Sequence, residues 1–180
     1  MSGTIEYKFS EETLAAANRI IRRYPEGKQK SALIPLLHLA QAEFDGWLSP
    51  GAMDYVASLL RIQSIEVYEV ASFYSMFNLK PVGKCVLEVC RTSSCWLLGA
   101  EDVVRHLEKK LNIKAGETTK DGMFTLKTVE CLGSCGTAPM LQCGGDFYEN
   151  LTLEKVDALV DSMKEEGKRR VYTRDEPVKI

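Results

Sequence analysis

Cys90-Arg-Thr-Ser-Ser-Cys95, taken together with Cys131-Leu-Gly-Ser-Cys135, decides how this chain is read. Each stretch holds two thiols across a short run of small or polar residues, so the pairs offer four soft sulfur ligands. Four is the number that a tetrahedral Zn²⁺ or a [2Fe–2S] cluster takes. Thiolates do not remain close neighbours unless a cation neutralises them or they are oxidised to a disulfide.

Around these pairs the pattern alternates between strand and helix. Cys85-Val-Leu-Glu-Val-Cys90 is short and β-rich, and Gly99 to Leu111 has helical spacing with Val103, Val104, Leu107 and Leu111 inward. Phe124 to Val129 is a second expected strand and Met140 to Cys143 a third. Phe147-Tyr148 follows as a fourth across the Gly144-Gly145-Asp146 turn. Thr152 can cap a last helix with Leu153, Val156, Leu159, Val160 and Met163 inward, and Gly167 closes it. Beyond it, Lys168-Arg-Arg170 and the mixed-charge tail are expected to form a solvated extension, available as a docking arm.

Cys85, Cys90 and Cys95 are evenly spaced, so strand geometry has to choose between them. Residues five apart in an extended strand are separated by about 17 Å, and odd spacing sends them to opposite faces. Cys85 and Cys90 therefore cannot share a small site if the strand forms. Cys90 and Cys95 are joined by a polar stretch free to fold back, and that pair is the better one. Cys131 and Cys135 follow a strand end, with Gly133 and Gly136 letting the backbone wrap closely. Two ligands after the first strand and two after the second come from adjacent loops at one edge of the sheet. Cys85 and Cys143 are read as small buried hydrophobes. Thr92, Ser93, Ser94 and Ser134 are candidate donors to sulfur, which mildly favours the cluster over zinc.

The first eighty residues have the pattern of four short amphipathic helices. Ser10 caps one with Leu14, Ala17, Ile21 and Tyr24 inward, and Leu33, Leu36, Leu37, Ala40 and Phe44 mark a second, with Pro35 near its start. Ser49-Pro50 gives a cap followed by proline at the first helical position, leading into Met53, Val56, Ala57 and Leu60. Ser64 is expected to cap a fourth, with Val67, Val70, Ala71, Tyr74 and Phe77 on one face. The joint is Asn78-Leu-Lys-Pro-Val-Gly83, where the period changes. The expected divisions are a helical bundle over 1–80, an α/β domain over 81–166 and a tail over 167–180.

Composition narrows the function classes. A chain of 180 residues with 45% hydrophobic content can bury a core without disulfide staples. Net charge near −2 points to no nucleic-acid or anionic-membrane surface. No apolar run approaches the roughly 20 residues of a membrane span, and neither signal nor transit peptide is expected at the N-terminus. A reducing cytoplasm follows, which favours a metal or redox site over three disulfides. There is no G-x-G-x-x-G, no P-loop and no Ser/His/Asp-like set, so nucleotide chemistry is expected elsewhere. His38 and His106 are read as packing or surface residues. No two cysteines are three apart, which disfavours dithiol exchange.

At this level of detail the residues resemble a known family. Val129-Glu-Cys-Leu-Gly-Ser-Cys135 followed by Ala138-Pro139 is similar to the signature of the 24-kDa-type iron–sulfur subunit of NADH:quinone oxidoreductase, respiratory complex I. Val89-Cys90-x₄-Cys95 followed by Gly99-Ala100-Glu101, Val70-Ala-Ser-Phe-Tyr74 and Pro81-Val-Gly-Lys84 fit the same family. The likeness runs from about the first helix to Met163. Any one piece alone would be weak, and the combination is specific.

The resemblance implies an α+β protein: an N-terminal helical bundle followed by a thioredoxin-like α/β domain carrying one [2Fe–2S] cluster on Cys90, Cys95, Cys131 and Cys135. It implies a partner flavoprotein subunit that binds FMN and NADH and carries a [4Fe–4S] cluster, along with further peripheral-arm subunits of complex I. The chain would be an electron carrier without its own substrate site, peripheral on the inner face of the cytoplasmic membrane. A cis bond before Pro139 would suit such a fold. Diaphorase subunits of NAD-linked hydrogenases and formate dehydrogenases share the motif, and a Cys₄ zinc interaction module is the alternative from another class.

Overall fold

The computed structural model describes residues 7–172. The stretch Ser2-Gly-Thr-Ile-Glu6, where no signal peptide is expected, lies outside them, as does the tail after Tyr172. The described residues form two units, one running to Pro81 and taking in Tyr172, the other Val82–Val171.

The first unit is built from α1 (Glu11–Ile21), α2 (Leu33–Glu43), α3 (Pro50–Leu60) and α4 (Ser64–Phe73). Its starts are written locally. Ser10 Oγ accepts from Thr13 N–H at 3.3 Å and Ser49 Oγ from Ala52 N–H at 3.2 Å, each satisfying a donor that the helix itself cannot reach. Pro50 opens α3, and Pro35 lies in the first turn of α2, where the missing N–H costs no helical bond. Ser64 does not cap α4. Gln63 holds that position, and its N–H donates to Glu66 Oε2 at 2.9 Å. α2 departs from a one-sided stripe, with Leu33, Leu36, Leu37, His38, Leu39 and Ala40 all buried, so it is the central helix of the unit. His38 packs there against the Phe77 ring, centroids 5.0 Å apart. Because the Ser49 cap is itself buried, Ser49→Ala is expected to cost about 1 kcal/mol. The check is a lower denaturation midpoint with unchanged slope.

The second unit holds β1 (Cys85–Cys90), α5 (Ser93–Leu97), α6 (Ala100–Leu111), β2 (Phe124–Val129), β3 (Leu141–Cys143), β4 (Asp146–Tyr148) and α7 (Leu153–Glu166). The sheet order is β2-β1-β3-β4. β1 and β2 run parallel with Cys85 opposite Phe124 and Cys90 opposite Val129, and α5 and α6 make the crossover that a parallel pair requires. β3 and β4 close the other side as an antiparallel hairpin. Leu87, Leu107, Leu126, Leu141 and Val156 are fully buried between sheet and helices. α6 and α7 lie side by side, tied by His106 Nε2 to Asp157 Oδ1 at 2.8 Å and Lys110 Nζ to Asp161 Oδ1 at 2.9 Å. The Ala138–Pro139 bond is cis.

The segment after Gly167 corrects the expectation of a solvated extension. Arg170 N–H donates to Lys84 O at 2.8 Å, and Arg170 bridges in parallel to Cys85. Its guanidinium reaches Asp146 at 3.1 Å and Glu166 at 2.8 Å, while Arg169 Nη1 donates to Gly83 O at 3.2 Å. β3 pairs with β1 only at Glu88 and Val89, which leaves the backbone groups at the start of β1 to find other partners on that side. A short strap of chain satisfies them.

Candidate iron–sulfur centre

The parallel register decides where the cysteines go. Cys90 and Val129 end their strands side by side, so both following loops leave the same edge of the sheet. Cys131 lies two residues past β2, and Arg91 N–H still donates to Val129 O at 3.2 Å as the chains diverge. The stretch from Cys90 to Cys95 is not an open loop. After Thr92 the chain turns into the single helical turn of α5, which carries Cys95 back inward. Cys135 opens a 3₁₀ turn, Cys135–Thr137, that packs on α5. Cys90 and Cys95 are buried while Cys131 and Cys135 are exposed at the rim.

The four sulfurs come together as two pairs. Cys131 Sγ and Cys135 Sγ are 3.8 Å apart, and Cys90 and Cys95 lie near enough for each to shift the other's proton affinity. Within each pair one thiol is acidified and the other is not. Burial works to raise Cys90, but the Thr92 hydroxyl and N–H, the Leu132 N–H and Cys95 bring it below the ordinary thiol value. Cys95 is pushed up to about 11 by burial and by Cys90. Gly133 N–H, 3.4 Å from Cys131 Sγ, lowers Cys131 first, helped by Thr92 and Cys135. Cys135 is raised chiefly by Cys131. Within each pair, charge on one sulfur opposes charge on the other.

This donor set fits an iron–sulfur cluster. Two cysteine pairs on loops that leave one end of the sheet supply the four sulfur ligands that such a cluster takes. Backbone N–H groups and hydroxyls surround the sulfurs, the neutral donors that stabilise an anionic cluster. Of the hydroxyls singled out in the sequence, Thr92 lies 3.5 Å from Cys90 Sγ and Ser94 works to lower the Cys135 thiol. Ser134 instead turns to Thr137 at 2.7 Å and to the Glu149 carboxylate. Glu149 carries no signal in the sequence, because the β3–β4 hairpin delivers it from fifteen residues away.

Cys85 and Cys143 are not part of this group. The register of β1 on β3 places them on one face of neighbouring strands, both fully buried. The Cys143 thiol is pushed up by Cys85 and by burial. Cys85 Sγ donates to Lys168 O at 3.6 Å. The expected burial holds for both, but they meet as a pair rather than as separate core residues.

A small mixed sheet presenting two cysteine pairs at the ends of adjacent parallel strands has the architecture of a thiolate-liganded cluster domain. The chain belongs to the thioredoxin-like [2Fe-2S] ferredoxin family, which it matches over residues 17–164. Over 162 residues it is 48% identical to an NADH-quinone oxidoreductase subunit of Rickettsia felis, covering 90% of this chain and 97% of that one. It is 44% identical over 158 residues to the mitochondrial NADH dehydrogenase [ubiquinone] flavoprotein 2 of Dictyostelium discoideum, covering 88% and 64% of the two chains. Among solved structures, an NAD⁺-reducing [NiFe]-hydrogenase in its air-oxidised state superposes with a TM-score of 0.65 over 75% of this chain at 21% identity. This chain spans only 23% of the hydrogenase chain, and the likeness is one of fold.

Proposed function

We propose that this chain is the electron-carrying subunit of an NADH-quinone oxidoreductase, holding one [2Fe–2S] cluster on Cys90, Cys95, Cys131 and Cys135. The observation that carries this reading is the meeting of two thiolate pairs at one sheet edge, in a chain similar over nearly its whole length to NADH-quinone oxidoreductase subunits. When bound, the cluster supplies one-electron storage and transfer without bond-making. The chain's residues provide the rest. Cys90 and Cys95 would hold the cluster from buried positions and Cys131 and Cys135 from exposed ones.

The neighbour is a flavoprotein subunit that binds FMN and NADH and carries its own [4Fe–4S] cluster. Three consecutive large apolar side chains next to Cys95, Trp96, Leu97 and Leu98, are 59%, 74% and 59% exposed. Apolar surface of that kind beside a redox centre suits a subunit contact. Among the described residues no helix is long and apolar enough to cross a membrane. The chain sits peripherally on the inner face of the cytoplasmic membrane through its partners.

The test is iron, sulfide and zinc analysis of the anaerobically purified full chain, with EPR after dithionite. About two irons and two sulfides per chain, with a rhombic S = ½ signal on reduction, are expected. Co-purification with an FMN-containing subunit is the second expected result. One zinc and no signal would replace the electron carrier by a structural module.

A further inference from the structure

Thr92 stands where a helix-capping residue stands and does not cap. It precedes α5 in extended conformation, φ −83° and ψ 169°, yet its side chain makes no cap hydrogen bond. The same position is used in the ordinary way elsewhere in this chain, where Ser10, Ser49 and Thr152 each accept from an N–H in the first turn of their helix. The Thr92 hydroxyl instead lies 3.5 Å from Cys90 Sγ. The hydroxyl that could have started the helix is thus spent on a sulfur of the candidate site.

We propose that Thr92 is a positioning residue for electron transfer, its hydroxyl donating to ligand sulfur and thereby setting the reduction potential of the centre. The proposal rests on the reading that these four cysteines hold a [2Fe–2S] cluster. Reduction adds one electron and no proton, so the sulfurs become more negative. A hydroxyl donor strengthens as its acceptor gains charge and so favours the reduced state. Removing the donor therefore lowers the potential. A side chain that served only to start α5 would alter stability and leave the potential alone.

The experiment is an EPR-monitored titration of the full, cluster-loaded chain with dithionite and mediators, for wild type, Thr92→Val and Thr92→Ser. Iron and sulfide are measured on each sample. Valine keeps the branched shape without the hydroxyl, and serine keeps the hydroxyl without the methyl. Thr92→Val is expected to shift the one-electron equilibrium about tenfold toward the oxidised form, about 59 mV, while Thr92→Ser stays close to wild type. If the valine chain does not retain iron, Thr92→Ala carries the same comparison. A cluster-containing variant without the hydroxyl but with an unchanged potential would overturn the proposal. Wild-type chain without iron and sulfide would overturn the cluster reading beneath it, and the measured metal content separates the two.

Discussion

In Cys90→Ser the native EPR signal is expected to vanish, and in Cys85→Ser it is expected to persist. The two residues stand at opposite ends of one six-residue strand, so the same substitution asks opposite questions. Cys90 leaves β1 at the edge where the β2 loop also emerges, and Thr92 Oγ1 lies 3.5 Å from its sulfur. Serine there offers a harder oxygen with a far higher pKa, a poor replacement for thiolate on iron. Cys85 instead donates to the Lys168 carbonyl, a contact that a serine hydroxyl can take over. The measurement is signal amplitude alongside iron content and a folded-state circular dichroism spectrum. Equal loss of signal from both substitutions, with the fold intact, would refute the choice of ligands.

Gly83→Ala is expected to be strongly destabilising although it adds a single methyl group. The added Cβ would stand 2.8 Å from the Phe124 carbonyl carbon and 2.9 Å from the Met123 carbonyl group. Those are backbone atoms, held in place because Cys85 N–H donates to Met123 O at 2.8 Å and Lys84 N–H to Gly122 O at 3.0 Å. No flexible side chain is there to yield. Relief requires the start of β1 to move away from β2, which strains the bond from Gly83 N–H to Thr125 Oγ1, 2.7 Å in the native arrangement. A loss of about 2–3 kcal/mol is expected, at the upper end for overpacking. The comparison is Gly136→Ala, beside Cys135, where a Cβ meets nothing within 4 Å. That change should stay within about 0.5 kcal/mol. Denaturant midpoints for the pair decide the matter, and equal midpoints would show that the β1 entry is more plastic than its hydrogen bonds indicate.

Local chemistry determined much of this protein by itself. The caps at Ser10, Ser49 and Thr152 and the strands Cys85–Cys90 and Phe124–Val129 are legible because each depends on a few adjacent residues: a hydroxyl before an apolar repeat, or an apolar run between turns. The separation of Cys85 from Cys90 is legible too, since the run between them reads as one strand. α5 is not, because a five-residue helix contains no repeat to detect. Ser64 is the expected cap by residue type, but type only biases the choice, and the Gln63–Glu66 bond moves the cap one residue earlier. Tertiary structure alone decided the rest. The placing of Cys85 and Cys143 on one face of neighbouring strands, the strap of Arg169 and Arg170 along β1, and the approach of Glu149 to Ser134 all depend on strand order and register. Those are long-range choices, set by how the apolar faces bury together, and no window of neighbouring residues contains them.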